Sequence, residues 1–248
     1  MRSRLVRTAL VAALLTGTVG PGRAQDVPTG ALSLRGEIAL VSDYRFRGVS
    51  RSGGDPALQG LVELDHASGL QAGLWASRLA GDPVQGDLQL DLFASYGREL
   101  LSGVTFTGGL QYSAFPSAIR GRRGLFEPMV AVATSYGPAR LSLGARYAWP
   151  QAALGAGDSD SLYLHGTVDL AVPGTPLTLT GRLGRQAGPL PLASAALAAG
   201  GVAWDYALGA TATLGGRWTL GAALVGSDRP YRSGLTGERL VGTLALGF

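Results

Sequence analysis

Two sets of charged residues stand on the polar face of short runs in which apolar and polar residues alternate: the acids Glu63, Asp65, Asp87 and Asp91, and the arginines Arg45, Arg140, Arg146 and Arg182. Set against each other across a narrow space, acids from the early runs and arginines from the later ones would create a transverse field that orients small polar solutes. Paired directly, the same charges would fill that space with salt bridges and hold its shape, because a desolvated charge must find a partner. Catalysis would need a nucleophile, a base and an orienting group within hydrogen-bond reach. Only His66 and His165 supply an imidazole, and there is no Cys. His66 falls in a turn, where a surface role is expected. His165 shares a face with Asp169 and Tyr163, so a hydrolase is the enzyme class left to weigh, but the chain reads as a non-enzyme without catalytic residues. The glycines follow the alternation of the runs and spell no phosphate-binding loop. With two His and no thiolate, neither a metal site nor a cofactor is expected.

The whole chain has 248 residues, 39 of them Gly, with 46% hydrophobic and 15% charged residues, which describes a chain that must fold and bury surface rather than a disordered one. Its formal charge of +4 suggests an acidic partner until the charges are placed along the sequence. Residues 1–24 hold Arg2, Arg4, Arg7 and Arg23 but no acid, around an apolar run that is too short to span a bilayer and ends in Gly22-Arg23-Ala24. That is the pattern of a cleaved secretory signal peptide, and it leaves residues 25–248 as a single mature domain. Without residues 1–24 the acids and arginines balance, so nucleic acid is not an expected partner.

The mature part repeats with period two and shows no sustained helical pattern. Leu34, Gly36, Ile38 and Leu40 alternate with Arg35, Glu37 and Ala39; Leu88, Leu90 and Leu92 alternate with Asp87, Gln89 and Asp91; Leu162, Leu164 and Val168 alternate with Tyr163, His165 and Asp169. Twelve strands follow, near 33–49, 57–66, 69–78, 87–97, 104–113, 125–136, 139–148, 161–171, 177–185, 202–214, 218–227 and 239–248. Their apolar face reads as free of charge. A soluble sandwich does not require that separation, whereas lipid does, since a charge facing the bilayer midplane of a barrel costs about 2–4 kcal/mol. The connections alternate between short turns, such as Gly137-Pro138, and longer loops, the longest near 186–201. Aromatic residues sort to the strand ends, with Tyr44, Phe46, Tyr112, Tyr147, Trp204 and Tyr206 near one rim and Tyr96, Tyr136, Trp218 and Phe248 near the other. The expected fold is therefore all-β, a transmembrane antiparallel up-and-down β-barrel of about 12 strands with short turns in the periplasm. Phe248, closing an alternating terminal strand, has the form of a signal for the barrel assembly machinery.

Ser42 to Ser50 reads SDYRFRGVS, and Pro56 to Ser77 reads PALQGLVELDHASGLQAGLWAS. These segments resemble the N-terminal signature of the TorF-like porin family, and 88–97 and 205–228 are similar to it more loosely. The resemblance implies a bacterial outer-membrane barrel described as a porin, with no named permeant. The combined expectation is a narrow channel for passive diffusion of small polar solutes, lined by Arg45, Glu63, Asp65, Asp87, Asp91, Arg140, Arg146, His165 and Arg182. Its partners would be outer-membrane lipid, the barrel assembly machinery and the solute. The alternatives are a filled structural barrel without a pore and, behind it, an outer-membrane hydrolase.

Overall fold

The computed structural model describes residues 31–82, 86–118, 124–154, 159–191, 201–230 and 235–248; the expected signal peptide, 1–24, lies outside them. The fold is a closed barrel of twelve antiparallel strands. In chain order its strands are β1 (Leu32–Val41), β4 (Ala57–His66), β5 (Leu70–Asp82), β6 (Gly86–Leu101), β7 (Val104–Ala114), β8 (Gly124–Tyr136), β9 (Ala139–Ala148), β10 (Ser161–Ala171), β11 (Leu177–Ala187), β12 (Val202–Leu214), β13 (Trp218–Ser227) and β14 (Arg239–Gly247). Two further strands, β2 (Arg45–Phe46) and β3 (Val49–Ser50), form a separate hairpin in the connection from β1 to β4. Each barrel strand pairs with its neighbours in sequence, and β1 closes the ring against β14.

The alternation fixes which way each side chain points. Leu34, Leu143, Leu208 and Leu240 stand outward, each more than 60% exposed. Arg35, Glu63, Asp91, Glu127, Arg146 and Asp205 turn into the lumen. An apolar belt of this extent has no counterpart on soluble monomers, and a bilayer is the solvent that matches it.

Three details depart from the sequence expectation. The first strand ends at Val41 rather than running to 49. The alternation of Ser42–Ser50 is real, but it is spent on the small β2–β3 hairpin, which turns back at Arg47-Gly48, where both residues have positive φ (50° and 78°). That is the backbone of a tight two-residue hairpin turn. Tyr44 and Phe46 consequently lie buried inside the barrel and not in an outer aromatic girdle. The apolar face is also not free of charge. Arg78, paired with Leu88, and Arg185, paired with Trp204 and Leu164, point outward near the long-loop end, where a long side chain reaches the headgroup level. Finally, β5 and β6 extend to Asp82 and Gly86, so the connection between them is short, although it lies on the long-loop end.

The seam between β1 and β14 is the shortest pairing of the ring, from Glu37↔Gly247 to Val41↔Thr243. Phe248 extends it: its N–H donates to Gly36 O at 2.9 Å, and Gly36 N–H donates to Phe248 O at 2.8 Å. The Phe248 ring occupies the space that a side chain at position 36 would fill. Deleting Phe248, or replacing Gly36 by Leu, therefore removes or displaces the last pair of the seam. Either change should lower the amount of heat-modifiable, membrane-inserted barrel several-fold. A neutral result for both, measured by gel mobility of membrane fractions, would deny the seam this role.

Candidate functional site

The lumen is occupied, toward the long-loop end, by the β2–β3 hairpin. Every residue from Asp43 to Ser52 is buried. The hairpin leaves the wall where Ser42 N–H donates to Gly242 O and Gly242 N–H to the Ser42 hydroxyl, both at 2.9 Å. Its base is a ring of bonds around Asp43, whose carboxylate accepts Ser50 Oγ at 2.6 Å, Ser52 Oγ at 3.1 Å and Arg45 Nε at 2.7 Å. Arg45, expected among the pore-lining residues, is thereby part of the hairpin, and it also donates to the Gly48 and Gly237 carbonyls. Val41, Tyr44, Phe46 and Val49 pack with Trp75, Phe93, Phe115 and Leu125 into an apolar core inside the barrel. The Tyr44 and Trp75 rings meet edge to face at 5.3 Å.

The tip of the hairpin is Arg47. Its guanidinium donates to Glu127 Oε1 on β8 at 2.7 Å and to Gln186 Oε1 on β11 at 2.7 Å, so one side chain ties the hairpin to two well-separated parts of the wall. It also lies over the Phe46 and Tyr163 rings, at 4.6 and 4.3 Å from their centroids. A positive φ is unfavourable for a residue with a Cβ and persists only where the surroundings impose it. Here the clamped guanidinium imposes it. Gly48, next in the turn, sits so close to the Gly226 carbonyl that a Cβ would come within 2.7 Å, and only Gly fits.

The charged wall residues pair along the wall rather than across the lumen, and at three levels. At the level of the hairpin, Glu127 binds Arg47 and lies 3.7 Å from Arg146, Arg146 donates to Gln111 at 2.9 Å, and Gln111 donates to Asp91 at 2.9 Å. Gln89 also donates to Asp91, at 3.0 Å, and accepts from Tyr44 OH at 3.2 Å. Asp91 and Arg146 thus belong to one network on β6–β9. On the neighbouring arc, Arg182 pairs with Asp205 at 2.8 Å, and Tyr163 accepts from Arg182 at 2.9 Å and donates to Asp205 at 3.1 Å. Nearer the short-turn end, Arg35 serves both Glu63 and Asp65, the second at 2.7 Å, and Arg140 stands opposite Asp169 in register. Asp87 lies apart from all of these, exposed at the mouth and bonded to Ser117.

Neither imidazole forms a dyad with an acid among the described residues. His66 Nδ1 bonds to the Ser68 hydroxyl in an exposed turn. His165 stacks on Tyr163, 5.4 Å between ring centroids, while Asp169 accepts from Thr180 instead. The residues that organise the lumen, Arg47, Glu127, Tyr163 and Asp205, were not among the expected site residues. The one local sign of the hairpin is Gly48 within the alternating run, and Arg-Gly is not among the Asn-Gly, Asp-Gly or Gly-Gly pairs that mark a two-residue hairpin turn.

Comparison with known proteins bears on the fold. The model of the bacterial protein family Gcw_chp, described as of unknown function, matches residues 25–244. No curated protein matches the chain. Among solved structures, the NanC porin superposes with a TM-score of 0.59 at 12% identity, over 87% of this chain and 99% of that one. The KdgM porin, solved in complex with disordered oligogalacturonate, gives 0.53 at 9% identity over 86% and 95% of the two chains. An outer-membrane channel from Pseudomonas putida F1 gives 0.52 at 13% identity over 93% and 99%. At these identities the likeness is one of fold.

Proposed function

We propose that this chain, which belongs to the Gcw_chp family of bacterial proteins of unknown function, is an outer-membrane porin-like channel for small polar solutes in which the β2–β3 hairpin is the constriction. Residues 1–24 direct export and are removed, and the assembly machinery reads Phe248. The apolar belt and the porin likeness of the fold support the location. The resemblance of Ser42–Ser50 to TorF-like porins points the same way, and that stretch is the hairpin itself.

One observation carries the channel reading: an inserted hairpin, packed against wall side chains such as Trp75, Phe93 and Leu125, occupies the lumen. Residues that only filled the barrel would not need an arginine held at positive φ and clamped to both sides. Local strain of this kind belongs to elements that constrict or switch. The wall charges then serve to seat the constriction, with Glu127, Arg146 and Asp91 on one side and Arg182 and Asp205 on the other.

The filled-barrel reading is favoured by the apolar core around the hairpin. Single-channel recording of the detergent-folded protein in planar bilayers separates the two. Discrete conductance steps with weak ion selectivity are expected, because Arg45, Arg47, Arg146 and Arg182 each lie within 4 Å of a carboxylate. Correctly folded protein that gives no steps, even when Arg47 is replaced by Ala, would establish the filled barrel.

A further inference from the structure

The ladder between β8 and β9 stops short of the long-loop end. β8 starts at Gly124 and β9 runs to Ala148, yet their register begins only at Met129↔Arg146. Gly124 to Pro128 pair in register with β7, and Tyr147 and Ala148 with β10. Pro128 is the cause. Phe126 N–H points to the β9 side, where it donates to Gln151 Oε1 at 2.9 Å. Along a strand the N–H directions repeat every second residue, so the nitrogen of Pro128 faces β9 as well and has no hydrogen to give. Above it a side chain stands in for the missing strand: Gln151 accepts the Phe126 N–H and returns its Nε2–H to the Phe126 carbonyl at 2.8 Å.

This stretch is apolar toward both sides. Outward, the rings of Tyr112, Phe126 and Trp149 form a row across the seam, 4.4 and 6.2 Å between successive centroids, with Phe126 40% and Trp149 42% exposed. A row of aromatic rings near the strand ends lies at the membrane interface, where amphipathic molecules partition. Inward, Glu127 at the foot of the seam is engaged by Arg47 and Arg146. Above it the seam is backed by Leu125 on β8, Ala148 on β9, and Ala153 and Leu154 of the short helical turn Ala152–Leu154, all in one apolar core with Trp75. An aqueous passage has no use for an apolar inner face, whereas a hydrocarbon chain does. Turning Gln151 aside breaks two hydrogen bonds, while parting a paired stretch of wall breaks a ladder.

We propose that the outer part of the β8–β9 seam is a lateral port, closed by Gln151, through which a single-chain amphiphile passes its tail between the outer leaflet and the apolar core in the barrel mouth. The slot is about one strand spacing wide, ~4.8 Å, which admits one hydrocarbon chain and not the pair carried by a bilayer phospholipid. The port goes beyond the channel reading and does not depend on it, because the ion path past the hairpin neither needs nor excludes an opening in the wall.

Trp75, 6% exposed in that core, is the reporter. Trp149→Phe/Trp204→Phe/Trp218→Phe leaves it as the only tryptophan. In phosphatidylcholine vesicles holding the folded mature chain, 11-bromoundecanol should quench Trp75 fluorescence, and dibrominated phosphatidylcholine, with its two chains, should not. Because the sequence has no Cys, Phe126→Cys/Gln151→Cys added to this background can be joined by a short bis-maleimide. The bridge should reduce quenching by 11-bromoundecanol several-fold relative to the same variant left unbridged. Pro128→Val, which restores the missing N–H, should also reduce it, and Gln151→Ala should increase it. Only heat-modifiable protein is compared. Quenching that survives both the bridge and Pro128→Val would place entry at the open mouth and overturn the port. Absence of quenching by 11-bromoundecanol, or equal quenching by dibrominated phosphatidylcholine, would overturn it as well.

Discussion

Replacing Arg45–Ser50 by Gly-Gly should raise single-channel conductance several-fold while leaving the barrel intact. The N–H of Arg51 already donates to the Tyr44 carbonyl at 2.7 Å, so the two residues that flank the excised segment lie side by side and a short glycine link can join them. None of the removed residues belongs to the twelve-stranded ring, whose pairings stay complete. The excision takes out the guanidinium that ties β8 to β11 and, from the apolar core at the centre of the lumen, Phe46 and Val49, and water replaces them. A milder change, Arg47→Ala, should raise conductance less and make it noisier. The hairpin would keep its base at Asp43 but lose both anchors at its tip. Heat-modifiable protein with unchanged conductance in both variants would show that the hairpin does not limit flow.

Why the hairpin was not legible in the sequence follows from what alternation encodes. Ser42–Ser50 alternates as well as any wall strand does, because β2 and β3 are themselves extended, and period two reports backbone extension and not the partner. Only Arg47-Gly48 differs, and a lone Gly within an alternating run also occurs in the wall, as at Gly36 and Gly60. The wall itself was readable, since twelve runs with one apolar face leave a closed membrane barrel as the simplest arrangement that satisfies every backbone group. The charged pairs were readable by face but not by level. Asp91 and Arg146, far apart in sequence, share one network because Gln111 and Glu127 bridge the strands between them, and that depends on register. Arg78 and Arg185 were lost among apolar neighbours because their position near a rim, which makes an outward charge tolerable, is set by where the strands end.

Glu127→Ala should be the most destabilising single change in the lumen. Its carboxylate is 2.7 Å from Arg47 and 3.7 Å from Arg146, and all three side chains are almost wholly buried. Removing the acid leaves two buried guanidiniums facing the same gap, and loss of one partner from a buried ion pair costs about 3–5 kcal/mol. The comparison that isolates the cause is a double-mutant cycle with Arg47→Ala, followed by urea unfolding in detergent or lipid vesicles. Arg47→Ala alone strands Glu127 less severely, because Arg146 remains beside it. The double variant should therefore be more stable than Glu127→Ala alone, since deleting Arg47 removes one of the two cations left unmatched. Simple additivity of the two single changes would mean that Glu127 acts on the wall through Arg146 and not on the hairpin, and the clamp at the tip would then hang on Gln186.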